Sequence, residues 1–312
     1  MDKAKWRWLQ AALGIVILYF IVRELREKWT TVSAQPIHWQ LRWEFIVASL
    51  LVTWMMYALL IWGWRAVLHG WRQWLRAVDA ARIWTVSSLG KYIPGKVWSI
   101  AGMAVMAERA GVSGVAATSS AVIMQLVALA TGAVVALAFT GTMVFDHLLE
   151  PYVGRWGSVL AFAGAAFALL CSVALTLPSL TRRLGHLIGR PDSVQPVEPG
   201  ALAASLFVNF LAWGGYGLAL QLLLLGTIPN LELSWSAATG AFAASYIIGY
   251  LALVVPGGIG VREGVLVLLL KGSLGLGPAI ALAAASRITL TINEIGAAVP
   301  FLLMRRSSRD DA

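Results

Sequence analysis

Long apolar stretches alternate with short basic or mixed-charge segments along this chain, the pattern of successive membrane-crossing helices. Apolar runs at about 9–22, 44–63, 115–140, 157–177, 201–226 and 278–304 predict six crossings. Two other regions are interrupted. One runs from Ile83 to Arg109 and is broken at Pro94-Gly95; the other runs from Trp235 to Lys271 and is broken at Pro256-Gly257-Gly258. Neither arm of the first reaches the roughly 20 apolar residues of a full span. Each interrupted region is therefore expected to be a re-entrant helical hairpin that enters and leaves the membrane on one side.

The two breaks stand in register. Placing Pro256 on Pro94, an offset of 162, puts Gly257 on Gly95, Gly264 on Gly102 and Lys271 on Arg109. The apolar run 203–226 then falls on 41–64, and 278–302 on 116–140, as an internal repeat requires. The expected organisation is a single integral membrane domain over 1–312. Its repeat halves are about 41–140 and 203–302, with 1–40 an additional N-terminal helix and loop and 141–202 a connecting span and cytoplasmic linker. Interrupted hydrophobic segments in matching positions of two halves point to a transporter binding site.

Composition sharpens this picture. With 59% hydrophobic residues, 12% charged residues and a mean hydropathy of +0.76, no soluble core is in prospect. The net charge of +9 comes from residues between apolar runs, so membrane topology accounts for it and a nucleic-acid partner is not expected. The basic bias places both termini in the cytoplasm of a bacterial-type inner membrane. The first hairpin then enters from the cytoplasm and the second from outside, which makes the halves an inverted-topology repeat. Tryptophans near segment ends, among them Trp43, Trp62, Trp64, Trp71, Trp74 and Trp235, fit an interfacial belt, whereas Trp98 and Trp213 are candidates for an interior lining. The lone Cys171 and four scattered histidines offer no metal-ligand spacing, and no cofactor or nucleotide motif is present. No enzymatic activity is expected.

Four basic residues remain at membrane depth: Lys91, Lys96, Arg262 and Arg287, with Glu263 and Glu294 the acids at comparable depth. Charges there are costly and mark function by default. Arg287, Thr291 and Glu294 share one helix face by their i, i+4, i+7 spacing. Each break also begins a short helix, near Gly95 and Gly258, whose first N–H groups lack intrahelical partners and attract anions. The expected substrate-binding set is Lys91, Pro94, Gly95, Lys96, Pro256, Gly257, Gly258, Arg262, Glu263, Arg287 and Glu294. Lys91 and Lys96 alternatively snorkel to headgroups if the first hairpin is shallow, and Arg262 alternatively pairs with Glu294 or Glu263 as a packing element.

The run G-K-Y-I-P-G-K-V-W at Gly90 to Trp98, the segment Arg109 to Ser113, and P-G-G-I-G-V-R-E-G at Pro256 to Gly264 resemble the flippase-like transmembrane domains related to the membrane region of lysylphosphatidylglycerol synthase, the multiple peptide resistance factor. The resemblance covers about Arg42 to Met304. Many members read Pro-Gly-Arg-x-Gly-Glu at the first break, where this chain has Lys96 for the arginine and Trp98-Ser99 for Gly-Glu. Many also carry a Glu-Arg pair where Met124-Gln125 stands here. No aminoacyltransferase domain follows Met304, so lipid aminoacylation is not expected. The resemblance implies movement of an anionic or phosphate-linked lipid between leaflets, either downhill or coupled to a proton or ion, with Glu263 and Glu294 as proton candidates. Two rivals stand beside it: a non-transporting membrane partner of a lipid-modifying or glycosyltransferase system, and a membrane-embedded lipid-phosphate enzyme. The lipid, the direction and the oligomeric state are left open.

Overall fold

The computed structural model describes residues 40–93, 97–141, 156–174, 176–180, 183, 196–252 and 256–303. Among these the protein is helical, with no strand. In chain order the elements are α1 (Trp43–Gly70), α2 (Ala77–Ser88) running into a 3-10 turn (Leu89–Tyr92), α3 (Val97–Glu108), α4 (Gly114–Thr140), α5 (Gly157–Ala174), α6 (Pro199–Thr227), α7 (Trp235–Leu251), a second 3-10 turn (Pro256–Gly258), α8 (Val261–Leu274) and α9 (Leu276–Leu303).

Four of these helices, α1, α4, α6 and α9, are long and apolar enough to cross a membrane, with lengths of 27 to 29 residues. At 1.5 Å per residue each spans about 40 Å, more than the ~30 Å of hydrocarbon. The chain is an integral membrane protein. Of the four, α9 is the least apolar, because it carries Arg287, Asn293 and Glu294.

Local chemistry sets the ends. Ser113 caps α4 by accepting from the Ala116 N–H at 3.2 Å, and Ser234 caps α7 by accepting from the Ala237 N–H at 3.2 Å. Pro199 opens α6 at its first turn, where its missing N–H costs nothing. Gly275, with φ +85, closes α8 and lets α9 start at Leu276.

The longest packing seam joins α1 to α6. In a membrane, packing of this kind rests on small residues that let backbones approach. Gly63 is such a point: a Cβ there would lie 2.6 Å from Val208 Cγ2. Ser49 Oγ donates across the seam to the Ala219 carbonyl at 2.7 Å. Two apolar cores flank the molecule's centre. One, around Trp64, gathers the end of α1 with α2, α3, the first half of α4 and the start of α6. The other, around Leu224 and Phe242, gathers the second half of α4 with α6, α7, α8 and the start of α9.

Two tryptophans assigned to the belt belong to the first core. Trp64 is fully buried, its indole N–H donating to Ser120 Oγ at 2.9 Å, and Trp71 is 6% exposed, donating to the Pro196 carbonyl at 2.9 Å. The reason is that α1 does not stop near Gly63; it continues to Gly70 and carries Trp64 inside. Trp43, Trp62, Trp74 and Trp235 are exposed, as a belt requires, and Trp98 is exposed as well. The expected first crossing at 9–22 and the basic tail after Met304 lie outside the described residues.

Candidate functional site

The second break is a run of left-handed backbone. Gly257, Gly258 and Gly260 have φ of +59, +67 and +81, a conformation that glycine adopts without the Cβ penalty. Gly258 is also pressed against α7: a Cβ there would lie 2.8 Å from the Gly249 carbonyl oxygen. The turn that leads toward the first break meets the second, for the 3-10 turn Leu89–Tyr92 touches Pro256–Gly258, with the Tyr92 ring beside Gly257.

Side chains from α8 and α9 fasten this junction. Arg287 Nη1 donates to the Gly257 carbonyl at 3.1 Å and lies 3.7 Å from Glu263 Oε1. The other oxygen of Glu263, Oε2, accepts from the Gly260 N–H at 2.6 Å. On the next turns of α9, Glu294 accepts from Lys91 Nζ at 2.5 Å and from the Tyr92 hydroxyl at 2.8 Å. Thr291 stands between them, bonded to the Arg287 carbonyl at 2.9 Å, with its hydroxyl oxygen 3.4 Å from that of Tyr92.

Arg262 is held differently. Its guanidinium carbon lies 4.6 Å from the Phe242 ring centre and 5.3 Å from that of Tyr246, a cation–π cradle on α7. It has no carboxylate within ion-pair distance among the described residues. Both arginines are 8% exposed, and Arg262 Nη2, Arg287 Nε and Arg287 Nη2 are buried without a hydrogen-bond partner among the described residues. Buried N–H groups of this kind are costly to leave unmade, more so on a charged group. Together, three cations face two carboxylates here, so the junction is net positive.

Lys91, Gly257, Arg262, Arg287 and Glu294 line a single cavity of about 230 Å³. Five of the expected site residues are thus brought to one space. Pro256 and Gly258 form the turn beside it, and Glu263 stands behind Arg287. Pro94, Gly95 and Lys96 lie outside the described residues.

Three details add to the sequence reading. Arg287 and Glu294 share a face of α9 but do not pair: seven residues separate them by about 10 Å along the axis, and each finds a nearer partner. At the N-terminus of α8 one N–H is already taken, because Glu263 folds back onto the Gly260 N–H and satisfies it. Lys91 does not snorkel but pairs inward with Glu294, whose side chain is 7% exposed. Sequence reasoning missed the aromatic share of the cavity, Tyr57, Tyr216, Phe242 and Tyr246, and the role of Tyr92. The available signal was tyrosines placed in mid-span, where a phenol hydroxyl has no lipid partner.

Comparison with individually curated proteins finds no match. A family model, the lysylphosphatidylglycerol synthase transmembrane region, matches residues 7–292, which takes in both breaks, Arg262 and Arg287 and stops just short of Glu294. By that match over most of its length, the chain belongs to the lysylphosphatidylglycerol synthase transmembrane-region family.

Proposed function

We propose that this chain is a non-catalytic lipid translocase that passes an anionic or phosphate-linked headgroup between leaflets through the cavity at the junction of its two breaks. The observation that carries the reading is the pair of buried guanidinium groups, Arg262 and Arg287, whose unpartnered N–H groups belong to residues lining that one cavity. An oxyanion answers both needs, since charge-assisted hydrogen bonds to a phosphate are short and strong and arginine's fork suits them. At about 230 Å³ the space is smaller than the ~300–1,000 Å³ of pockets that hold drug-sized ligands. It admits a headgroup and leaves acyl or prenyl chains in the bilayer.

The architecture that would serve this function is six crossings and two re-entrant hairpins in an inverted repeat. Element positions support it. At the 162-residue offset, the start of α4 at Gly114 falls on Leu276, where α9 starts, and α2 and α3 fall within two residues of the bounds of α7 and α8 or inside them. Packing is reciprocal, with α4 against α7 and α9 against α2. Rocking of one half against the other around the junction would then alternate access. Both termini would lie in the cytoplasm, and Glu294 would be the carboxylate available for proton coupling, since it faces the cavity.

The test is a leaflet assay on reconstituted vesicles with a fluorescent anionic phospholipid and with polyprenyl phosphate. Wild type is expected to accelerate exchange of at least one, and Arg262→Gln and Arg287→Gln to slow it about tenfold or more, the loss of one charged hydrogen bond. Well-folded wild type that moves neither lipid overturns the translocase reading and returns weight to a non-transporting partner subunit.

A further inference from the structure

The cavity also has uncharged lining groups that the phosphate reading does not use. Beside its charged groups its lining includes Tyr57, Gln125, Asn209, Tyr216 and Tyr246, contributed by α1, α4, α6 and α7, with the Tyr246 ring 5.3 Å from the Arg262 guanidinium. The rings form one cluster: Tyr57 and Tyr216 centroids are 6.4 Å apart, Trp213 and Tyr246 5.4 Å, and Tyr216 stacks on Phe242 at 5.2 Å. Asn209 spends its amide N–H on the Ser205 carbonyl at 2.8 Å, which leaves its side-chain oxygen to accept. The hydroxyls of Tyr57, Tyr216 and Tyr246 and the Gln125 amide have no protein partner among the described residues. Neutral donors and acceptors set among aromatic rings match a ligand that carries hydroxyl groups on a carbon skeleton.

The same lining disfavours an amine. The position where an aromatic cradle would hold an ammonium, over Phe242 and Tyr246, is taken by Arg262 itself. The carboxylate that would pair with an ammonium, Glu294, is already bonded to Lys91 and Tyr92. An incoming ammonium would meet three cations and find no free carboxylate among the lining residues. Like-charge placement of this sort rejects a wrong ligand as effectively as new contacts attract a right one.

We propose that the headgroup taken by this cavity is a phosphate ester of an uncharged polyol, with the phosphate at Arg262 and Arg287 and the hydroxyl-bearing part among Tyr57, Gln125, Asn209, Tyr216 and Tyr246. This rests on the headgroup-site reading above and adds its specificity. Tyr57, Gln125 and Tyr246 act as specificity determinants and Arg262 as both anion ligand and amine excluder.

The closing experiment measures equilibrium binding to the purified full chain of short-chain phosphatidic acid, phosphatidylglycerol, phosphatidylinositol and phosphatidylethanolamine, with vesicle transport run in parallel. At least one polyol lipid is expected to bind about tenfold tighter than phosphatidic acid, the worth of one or two added hydrogen bonds, and phosphatidylethanolamine to bind weakest. In Tyr246→Phe and Gln125→Leu, checked for folding by thermal unfolding, the preference for the polyol lipid over phosphatidic acid should shrink toward unity. Phenylalanine keeps the ring, so the packing of the cluster survives the substitution. Equal affinity for phosphatidic acid and the polyol lipids, tight binding of the amine lipid, or a preference untouched by both variants would each overturn the proposal. Selective binding without transport would sink the translocase reading while leaving the polyol site in place. Transport indifferent to the headgroup would do the reverse.

Discussion

Arg287, in the middle of the last helix, donates to the carbonyl oxygen of Gly257 at 3.1 Å and so ties α9 to the second break. That carbonyl belongs to a left-handed glycine whose own chain neighbours cannot satisfy it through helix geometry, and the guanidinium supplies the donor. The same side chain faces Glu263 at 3.7 Å, so one residue links the turn, the start of α8 and the cavity.

Arg287→Lys should therefore fail as a conservative change. Both contacts are made from Nη1, the far end of the guanidinium, which the shorter lysine side chain does not reach from the same position, and a compact ammonium has no fork to offer the cavity. We expect a loss of stability of about 1–3 kcal/mol from the unsatisfied groups, read as a lower unfolding midpoint in detergent, together with a loss of lipid exchange. Unchanged midpoint and exchange would show that the link to Gly257 is dispensable.

The glycines of the break should not be equivalent. Gly258→Ala adds a methyl that would sit 2.8 Å from the Gly249 carbonyl oxygen, on top of the backbone strain of φ +67. Gly260→Ala, at φ +81, meets nothing within 4 Å and carries the strain alone. Strain of this kind costs about 1–2 kcal/mol, so Gly260→Ala should be mildly destabilising and Gly258→Ala clearly more so. Thermal unfolding of the two variants side by side checks the order, and a reversed order would contradict the close approach of the break to α7.

Lys91 and Glu294 should show strong coupling. Removing one partner leaves the other buried and unpaired, which costs about 3–5 kcal/mol, whereas removing both leaves no orphan charge. Lys91→Met and Glu294→Gln are each expected to destabilise more than their combination does. A double-mutant cycle on unfolding midpoints reads the coupling, and simple additivity would mean that the pair does not exist in the bilayer.

Trp64→Phe removes the indole N–H that serves Ser120 Oγ and leaves a void in a site with no exposure. A loss of about 1–3 kcal/mol is expected, whereas Trp62→Phe, two residues away and 52% exposed, should be near neutral. Equal effects of the two changes would place Trp64 in the interfacial belt after all.

The comparison of Trp62 with Trp64 also shows what the sequence could and could not carry. Hydropathy located the four long helices among the described residues and the second break because each depends on a local property: length of apolar run, or the presence of Pro and Gly. Arg262 and Arg287 were legible for the same reason, as charges where charge is costly. Whether a tryptophan faces lipid or core depends on which neighbour covers it, and α1 gave no local sign of continuing past Gly63. The partition of charges was also tertiary. Glu263 reads as a free carboxylate until the left-handed turn brings the Gly260 N–H within 2.6 Å of it. The tyrosine chamber was out of reach because α1, α6 and α7 each contribute part of it, and no segment alone looks like a site.

The seam between α1 and α6 has a meaning of its own. Ser49, Gly63 and their partners join helices that occupy corresponding places in the two proposed halves, and both helices line the cavity, through Tyr57 and Tyr216. A seam built on backbone proximity tolerates pivoting far better than separation, because close approach depends on distance more than on angle. In the proposed translocase the α1–α6 contact would be the natural fulcrum, and the ionic junction of Lys91, Arg287 and Glu294 the part that opens and closes.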